Sequence, residues 1–333
     1  MLQSFDAAAV ARLCPYDRLV DALASGLREP IVSPPRMHMD PPGDGSAFLI
    51  MPAWQIGGLI GVKMVSVWPA NAAQRKPTVT GLYSVFSCVD GMPIAVIDGT
   101  ELTLRRTAAT AALGARLLSR KGKLRLAVLG TGALAPEMAE AHARALDIAS
   151  ITIWGRRIEG AQAVVARLAA RGIAATATAQ IEVVVREADV IVAATTATVP
   201  FIEPQWVRPG THIGLFGAFT SAMAEAEPAL LPHVHLYADT RTGVLEKGGG
   251  GAGDKGRPDR AGGNPRRIGR NADRRAAVAH LRARHHRVQV GRLRCARPSR
   301  CTPGSGARGN VESTTCKTRK TNHEQASHRR HPR

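Results

Sequence analysis

Three kinds of residue in this sequence have the chemistry to form a site: a glycine turn, cations set in or beside apolar runs, and a threonine at a strand end. The turn is Gly130-Thr131-Gly132-Ala133-Leu134-Ala135. It follows an apolar run at 124–129 whose Leu and Val content suits a strand buried on both faces. After it comes a helix-forming stretch with little β-branching, at 137–146. Strand, glycine turn and helix, in that order, are what a dinucleotide-binding turn requires. Gly130 permits the tight turn, Gly132 lets backbone approach a pyrophosphate, and small Ala135 lets the helix pack on the strand. Backbone N–H groups around Ala133 and Leu134, with the dipole of the helix start, would hold the phosphates.

The next strand bears on which dinucleotide. An NAD-preferring domain carries an acidic residue about 20 residues beyond the glycines, where it bonds the ribose hydroxyls. Here the sequence reads Trp154-Gly155-Arg156-Arg157, with two guanidiniums and no carboxylate. Arginine forks suit a 2′-phosphate, so NADP(H) is favoured over NAD(H); a solvated pair opening the next helix is the competing reading. Thr195, at the end of a later apolar strand, is placed to line the nicotinamide side or simply to cap its strand. Lys63 lies within the apolar run 59–67, where a charge must face either water or a site.

Several elements must position these groups. Residues 4–28 read as two helical pieces split at Pro15, with Leu19, Val20, Leu23 and Leu27 on one apolar face. Strand-like segments follow at 36–39, 47–51, 59–67, 79–88 and 93–97, separated by turn signals such as Gly57-Gly58 and Asp90-Gly91. An alanine-rich helix is expected at 100–119. Beyond the glycine turn, strands at 151–154, 174–178, 189–194, 211–216 and 234–238 alternate with helices at 159–170 and 181–187. Repeated βα units imply an α/β fold with a Rossmann-type doubly wound parallel sheet, binding ligands at the carboxyl ends of its strands. A β-rich α+β domain precedes it. The expected boundaries are 1–112, 113–247 and a tail at 248–333.

Composition limits the alternatives. The 333 residues hold no long apolar run, so a membrane span or signal peptide is not expected. Five cysteines without CxxC spacing argue against a zinc site or a disulfide framework and suit a reducing cytoplasm. The net charge of +19 has the sign of a nucleic-acid-binding protein. Its location says otherwise: the tail from Gly248 carries 22 Lys+Arg and 5 Asp+Glu, whereas the body carries 23 and 21. The tail has no aromatic residue and is dominated by Arg, Gly, Pro and His, so it is expected to be disordered. It reads either as a basic nucleic-acid-binding extension or, preferably, as a GC-rich gene translated out of frame. Residues 285–291 can be encoded so that starting one base later gives Ile-Thr-Val-Phe-Lys-Ser-Val, an ordinary strand-and-turn sequence.

The body resembles the ornithine cyclodeaminase/mu-crystallin family, which includes cyclic imino-acid (ketimine) reductases. The resemblance spans residues 1–247. It is carried by Pro35-Arg36, Met51-Pro52-Ala53, Gly61-Val62-Lys63, Pro69-Ala70-Asn71, Pro77-Thr78-Val79, the run Leu102 to Ala109 containing Arg105-Arg106-Thr107, the glycine turn, and Gly217-Ala218-Phe219-Thr220. The shifted-frame heptapeptide also resembles the family's C-terminal signature. The resemblance implies a substrate and dimerisation domain beside the Rossmann domain, in a homodimer, with hydride transfer between them. It implies that Lys63 contacts the substrate or donates a proton, that Arg36 binds the substrate carboxylate, and that Thr78 and Arg106 lie near the cofactor. Taken without it, Arg36 would be a turn-surface arginine and Arg106 part of an exposed helix face.

One departure bears on the reaction. In the cyclodeaminases the loop after Gly217 resembles Gly-Asp-Cys-Pro-Gly-Lys, whose aspartate handles proton transfers. Phe219 stands at that aspartate and Met223 at the lysine. A phenyl ring is neither acid nor base, whereas reducing a preformed C=N needs only hydride and one proton. Reduction of Δ1-pyrroline-2-carboxylate or Δ1-piperideine-2-carboxylate to proline or pipecolate is therefore expected. Ornithine cyclodeaminase, or a non-catalytic NADPH-binding crystallin-like protein, is the alternative.

Overall fold

A computed structural model describes residues 2–43, 45–217 and 223–238, together with the backbone of Ala279–Ala283. Phe219 lies outside the described residues. The chain opens with strand β1 (Gln3–Phe5) and helices α1 (Ala7–Leu13) and α2 (Tyr16–Gly26). Asp6 caps α1, its Oδ1 accepting the Ala9 N–H at 2.8 Å, and Pro15 stands just before α2. Strands β2 (Ile31–Val32), β3 (Met37–Met39), β4 (Ala47–Gln55), β5 (Leu59–Val67), β6 (Val79–Ser87) and β7 (Pro93–Asp98) follow. They form one sheet in the order β1-β7-β6-β5-β4-β2, with β3 also on β4; all pairs are antiparallel except β1 with β7. The expected helix at residue 4 therefore starts later. A three-residue edge strand is too short to show the alternation that would have marked it.

Helix α3 (Gly99–Leu118) connects this sheet to the next and packs on both β6 and α4 (Leu134–Ala145). Its buried face is almost all alanine, at 108, 109, 111, 112 and 115, which lets its neighbours approach closely. At its start the contact is tighter still: a Cβ on Gly99 would lie 2.6 Å from the Leu82 backbone nitrogen. Asp98 caps this end through the Glu101 N–H at 2.7 Å.

The second sheet holds β8 (Leu124–Leu129), β9 (Ile148–Trp154), β10 (Thr176–Thr178), β11 (Val190–Ala193) and β12 (His212–Leu215), with helices α5 (Ile158–Ala169) and α6 (Ile181–Glu187). These five strands run parallel in the order β10-β9-β8-β11-β12. Numbered within this half, that is 3-2-1-4-5, the dinucleotide-binding order with its reversal between β8 and β11. β8 lies between β9 and β11, and Leu126, Val128 and Leu129 are at most 2 % exposed, which accounts for its apolar run from Leu126 onward; Arg125 near its start is exposed. Beyond β12 lie β14 (Ala279–Ala283) and then β13 (Val234–Ala238), both antiparallel to their neighbours. The tail was expected to be disordered, yet these five residues are a strand. Ladder hydrogen bonds are made by backbone and are largely indifferent to side chains, so the open edge of β12 accepts them. Among the described residues, no helix is long and apolar enough to cross a membrane.

Candidate functional site

Where β8 and β11 diverge, the chain turns sharply. Gly130 sits at φ 130°, a backbone region that L side chains rarely adopt, and its N–H donates to the Trp154 carbonyl at 3.0 Å. A Cβ there would lie 2.7 Å from the Ala194 carbonyl oxygen, so the turn fits only a glycine. Gly132 is exposed, with open space where a side chain would point. α4 begins two residues later, and no side chain caps its start. Ala135 is completely buried, as close helix–strand packing requires. These features fit a pyrophosphate held on backbone N–H groups at a helix N-terminus. Thr131 docks the turn sideways, its Cγ2 and Oγ1 filling the space over Gly155 and Gly160 at the start of α5.

A cavity of about 440 Å³ opens at this point, within the size range of small-molecule sites. Gly130, Gly132, Arg156 and Thr195, from three separate strand ends, all line it. The structure thus gathers four of the residues expected from sequence. Arg157 stands at the start of α5, while Ala133 and Leu134 continue from the lining into α4. Two further groups were not anticipated. Trp154 and Phe201 stack at 5.2 Å and 21° along one wall, with the Trp154 indole N–H on the Ala179 carbonyl at 3.1 Å. Behind Thr195 stands Glu225, completely buried, whose carboxyl burial pushes up. Neither had a sequence signal: Phe201 follows a proline in a loop, and Glu225 sits among alanines with no periodicity.

The other expected residues lie on the first sheet and α3, outside this lining. Lys63 is on β5, opposite Met51 on β4 and Tyr83 on β6. Strand alternation places it on the same face as the buried Gly61 and Val65, not on an outward one. The lack of a side chain on Gly61 makes room for the Tyr83 ring, whose phenol is pushed up by burial. Arg36 is exposed just ahead of β3. Thr78 is half-buried ahead of β6, and its carbonyl accepts the Trp68 N–H at 2.7 Å. On α3 the neighbouring arginines divide. Arg105 turns inward to Glu101 at 2.8 Å, to the Cys14 carbonyl at 3.1 Å and over the Tyr16 ring. Arg106 is on the exposed side.

Comparison with known proteins identifies the lineage. Residues 7–252 match the ornithine cyclodeaminase/mu-crystallin family. The chain belongs to that family. The match ends within a few residues of the change in composition at Gly248. One relative in the family, the Δ1-pyrroline-2-carboxylate reductase of Paracoccus denitrificans, is 34% identical over 227 residues, 68% of this chain and 71% of that protein. An archaeal alanine dehydrogenase dimer with bound NAD superposes with a TM-score of 0.64 at 27% identity, covering 74% of this chain and 75% of that one. The fold is also that of Thermococcus litoralis Δ1-pyrroline-2-carboxylate reductase, solved with NADH and L-proline. There the TM-score is 0.66 at 22% identity, over 73% of this chain and 77% of that one.

Proposed function

We propose that this protein is a nicotinamide-dependent reductase of a cyclic imino acid, converting Δ1-pyrroline-2-carboxylate or Δ1-piperideine-2-carboxylate to proline or pipecolate. The observation that carries this reading is the glycine-turn cavity at the sheet's switch point, in a chain whose 34% identical relative is named for that reduction. When bound, the reduced nicotinamide supplies a hydride to the C=N carbon. The protein's part is to bind, orient and provide one proton. Backbone N–H groups from Gly132 to Leu134 hold the pyrophosphate, and Thr195 borders the nicotinamide. Arg156 on the cavity wall, with Arg157 beside it, favours NADP(H) over NAD(H) through a fork on the 2′-phosphate.

On the first sheet, the Arg36 guanidinium pairs with the substrate carboxylate. Lys63 contacts the same carboxylate or delivers the proton to the ring nitrogen. Thr78 and Arg106 complete the cofactor's surroundings. Residues 1–112 serve as the substrate and dimerisation unit, and 113–247 as the cofactor unit. Exposed apolar side chains on strands of the first sheet, among them Met37, Leu59, Val79 and Leu82, fit a homodimer that covers them. The tail from Gly248 is read as an out-of-frame translation.

Absorbance at 340 nm tests the reaction. NADPH should be consumed with either cyclic imine, and ornithine should release no ammonia. Ammonia from ornithine would instead select the cyclodeaminase, and cofactor binding without any turnover would select a crystallin-like binding protein.

A further inference from the structure

A carboxylate that the reaction above does not use stands directly behind the cavity wall. Glu225 is 0 % exposed, and its two oxygens take donors from both strand ends. Oε1 accepts the Thr195 N–H at 2.7 Å and the Thr195 hydroxyl at 2.9 Å, and Oε2 accepts the Gly217 N–H at 3.0 Å. Its main-chain carbonyl accepts the N–H groups of Phe201 and Ile202, each at 3.1 Å. One residue thereby ties the chain leaving β11, the chain leaving β12 and the segment that carries Phe201. A side chain at Gly217 would collide with both Thr195 and the Glu225 carboxylate, so the two strand ends close on each other without spare room. Burial disfavours charge on this carboxyl, and the donors oppose that effect.

The consequence falls on Thr195. A threonine hydroxyl has one hydrogen to donate, and here Oε1 takes it. The Thr195 hydroxyl oxygen in turn accepts the Ala197 N–H at 3.3 Å, which uses one of its two lone pairs. What remains for the cavity is acceptor capacity only.

We propose that Glu225 is a positioning residue that makes Thr195 a hydrogen-bond acceptor for the carboxamide N–H₂ of a bound nicotinamide, and so fixes how the ring sits. This rests on the cofactor reading above but not on the identity of the imine. The test uses the full chain with Glu225→Gln, Thr195→Val and the double variant. Affinity is measured for whichever reduced nicotinamide cofactor the wild type binds more tightly, and for its ADP-ribose counterpart, which lacks the nicotinamide. Each single variant should weaken the cofactor about 3- to 10-fold, as expected for one hydrogen bond between neutral groups. The ADP-ribose ligand should bind as before, and the double variant should be no worse than the singles.

Equal losses for the two ligands, additive losses in the double variant, or no loss at all would overturn the proposal. If Glu225→Gln does not fold, Thr195→Ser against Thr195→Val decides. Serine should retain the affinity and valine lose it, and equal affinities would overturn the proposal. A wild type that binds the cofactor but reduces no imine refutes the reductase and leaves this inference standing. One that binds neither NADPH nor NADH refutes both.

Discussion

At the residue scale, the glycine turn makes the sharpest demands. Gly130→Ala must place a Cβ 2.7 Å from the Ala194 carbonyl at a φ of 130°. Strain of this kind costs about 1–3 kcal/mol, so cofactor affinity, read by fluorescence titration, should fall at least several-fold while Gly132→Ala is milder. Arg156→Ser should shift the NADPH-to-NADH ratio of kcat/KM toward NADH by about 10–100-fold, the worth of charge-assisted bonds to a phosphate. An unchanged ratio would remove Arg156 from the discrimination. That Gly130, Gly132, Arg156 and Thr195 come together at one cavity was legible in the sequence because a glycine turn after an apolar strand, and the strand ends around it, leave a fixed spacing. Glu225 and Phe201 were not, because loop closure brings them to the cavity and leaves no period in the chain. Lys63 was legible as an anomaly, a charge in an apolar strand. Only the structure shows that the face it shares with Val65 is the buried one.

At the scale of elements, long periodic segments were read well and short or edge segments poorly. The strands at Leu59–Val67 and Leu124–Leu129 and the helix at Ile181–Glu187 have the bounds their patterns implied. β1 did not show, and β4 runs on through Pro52 to Gln55, beyond the expected end at 51. Elements are joined by two buried carboxylates. Glu137 on α4 takes the Tyr16 hydroxyl at 2.6 Å and Arg171 at 2.7 Å, joining α2, α4 and the end of α5. Asp189, ahead of β11, takes Arg120 at 3.0 Å, Arg125 at 3.3 Å and Arg208 at 3.0 Å.

Burial opposes ionisation of both carboxyls, but these donors outweigh it and hold both below the ordinary carboxylate range. The stability they contribute is therefore present above the unfolded carboxylate pKa of about 4 and is lost as pH falls through the lower folded values. Urea midpoints at pH 7 and pH 3 should converge in Asp189→Asn and Glu137→Gln relative to wild type. Equal pH sensitivity in all three would contradict this. Gly99→Ala, which forces a Cβ against the Leu82 backbone, should cost about 1–3 kcal/mol by overpacking α3 onto the sheet.

At the scale of the whole molecule, the body and the tail follow different rules. The fold class was legible from βα alternation, and the near-neutral charge of the body set aside the basic total as evidence of nucleic-acid binding. The strand at Ala279–Ala283 was not legible, since a sheet edge recruits backbone whatever its side chains. If the tail is out of frame, DNA around codons 245–252 will show one base gained or lost. A chain with the frame restored should then melt at a higher temperature and dimerise more tightly. A gene in frame throughout, or identical melting of the two chains, would count against that account.

The central claim, hydride delivery to a cyclic imine, is tested most directly by following the hydrogen itself. NADPH stereospecifically deuterated at the transferred C4 position, incubated with Δ1-pyrroline-2-carboxylate or Δ1-piperideine-2-carboxylate, should give proline or pipecolate carrying deuterium at C2, seen by mass spectrometry and NMR. Product without deuterium from either C4 epimer, or ammonia from ornithine with no imine reduced, would contradict it.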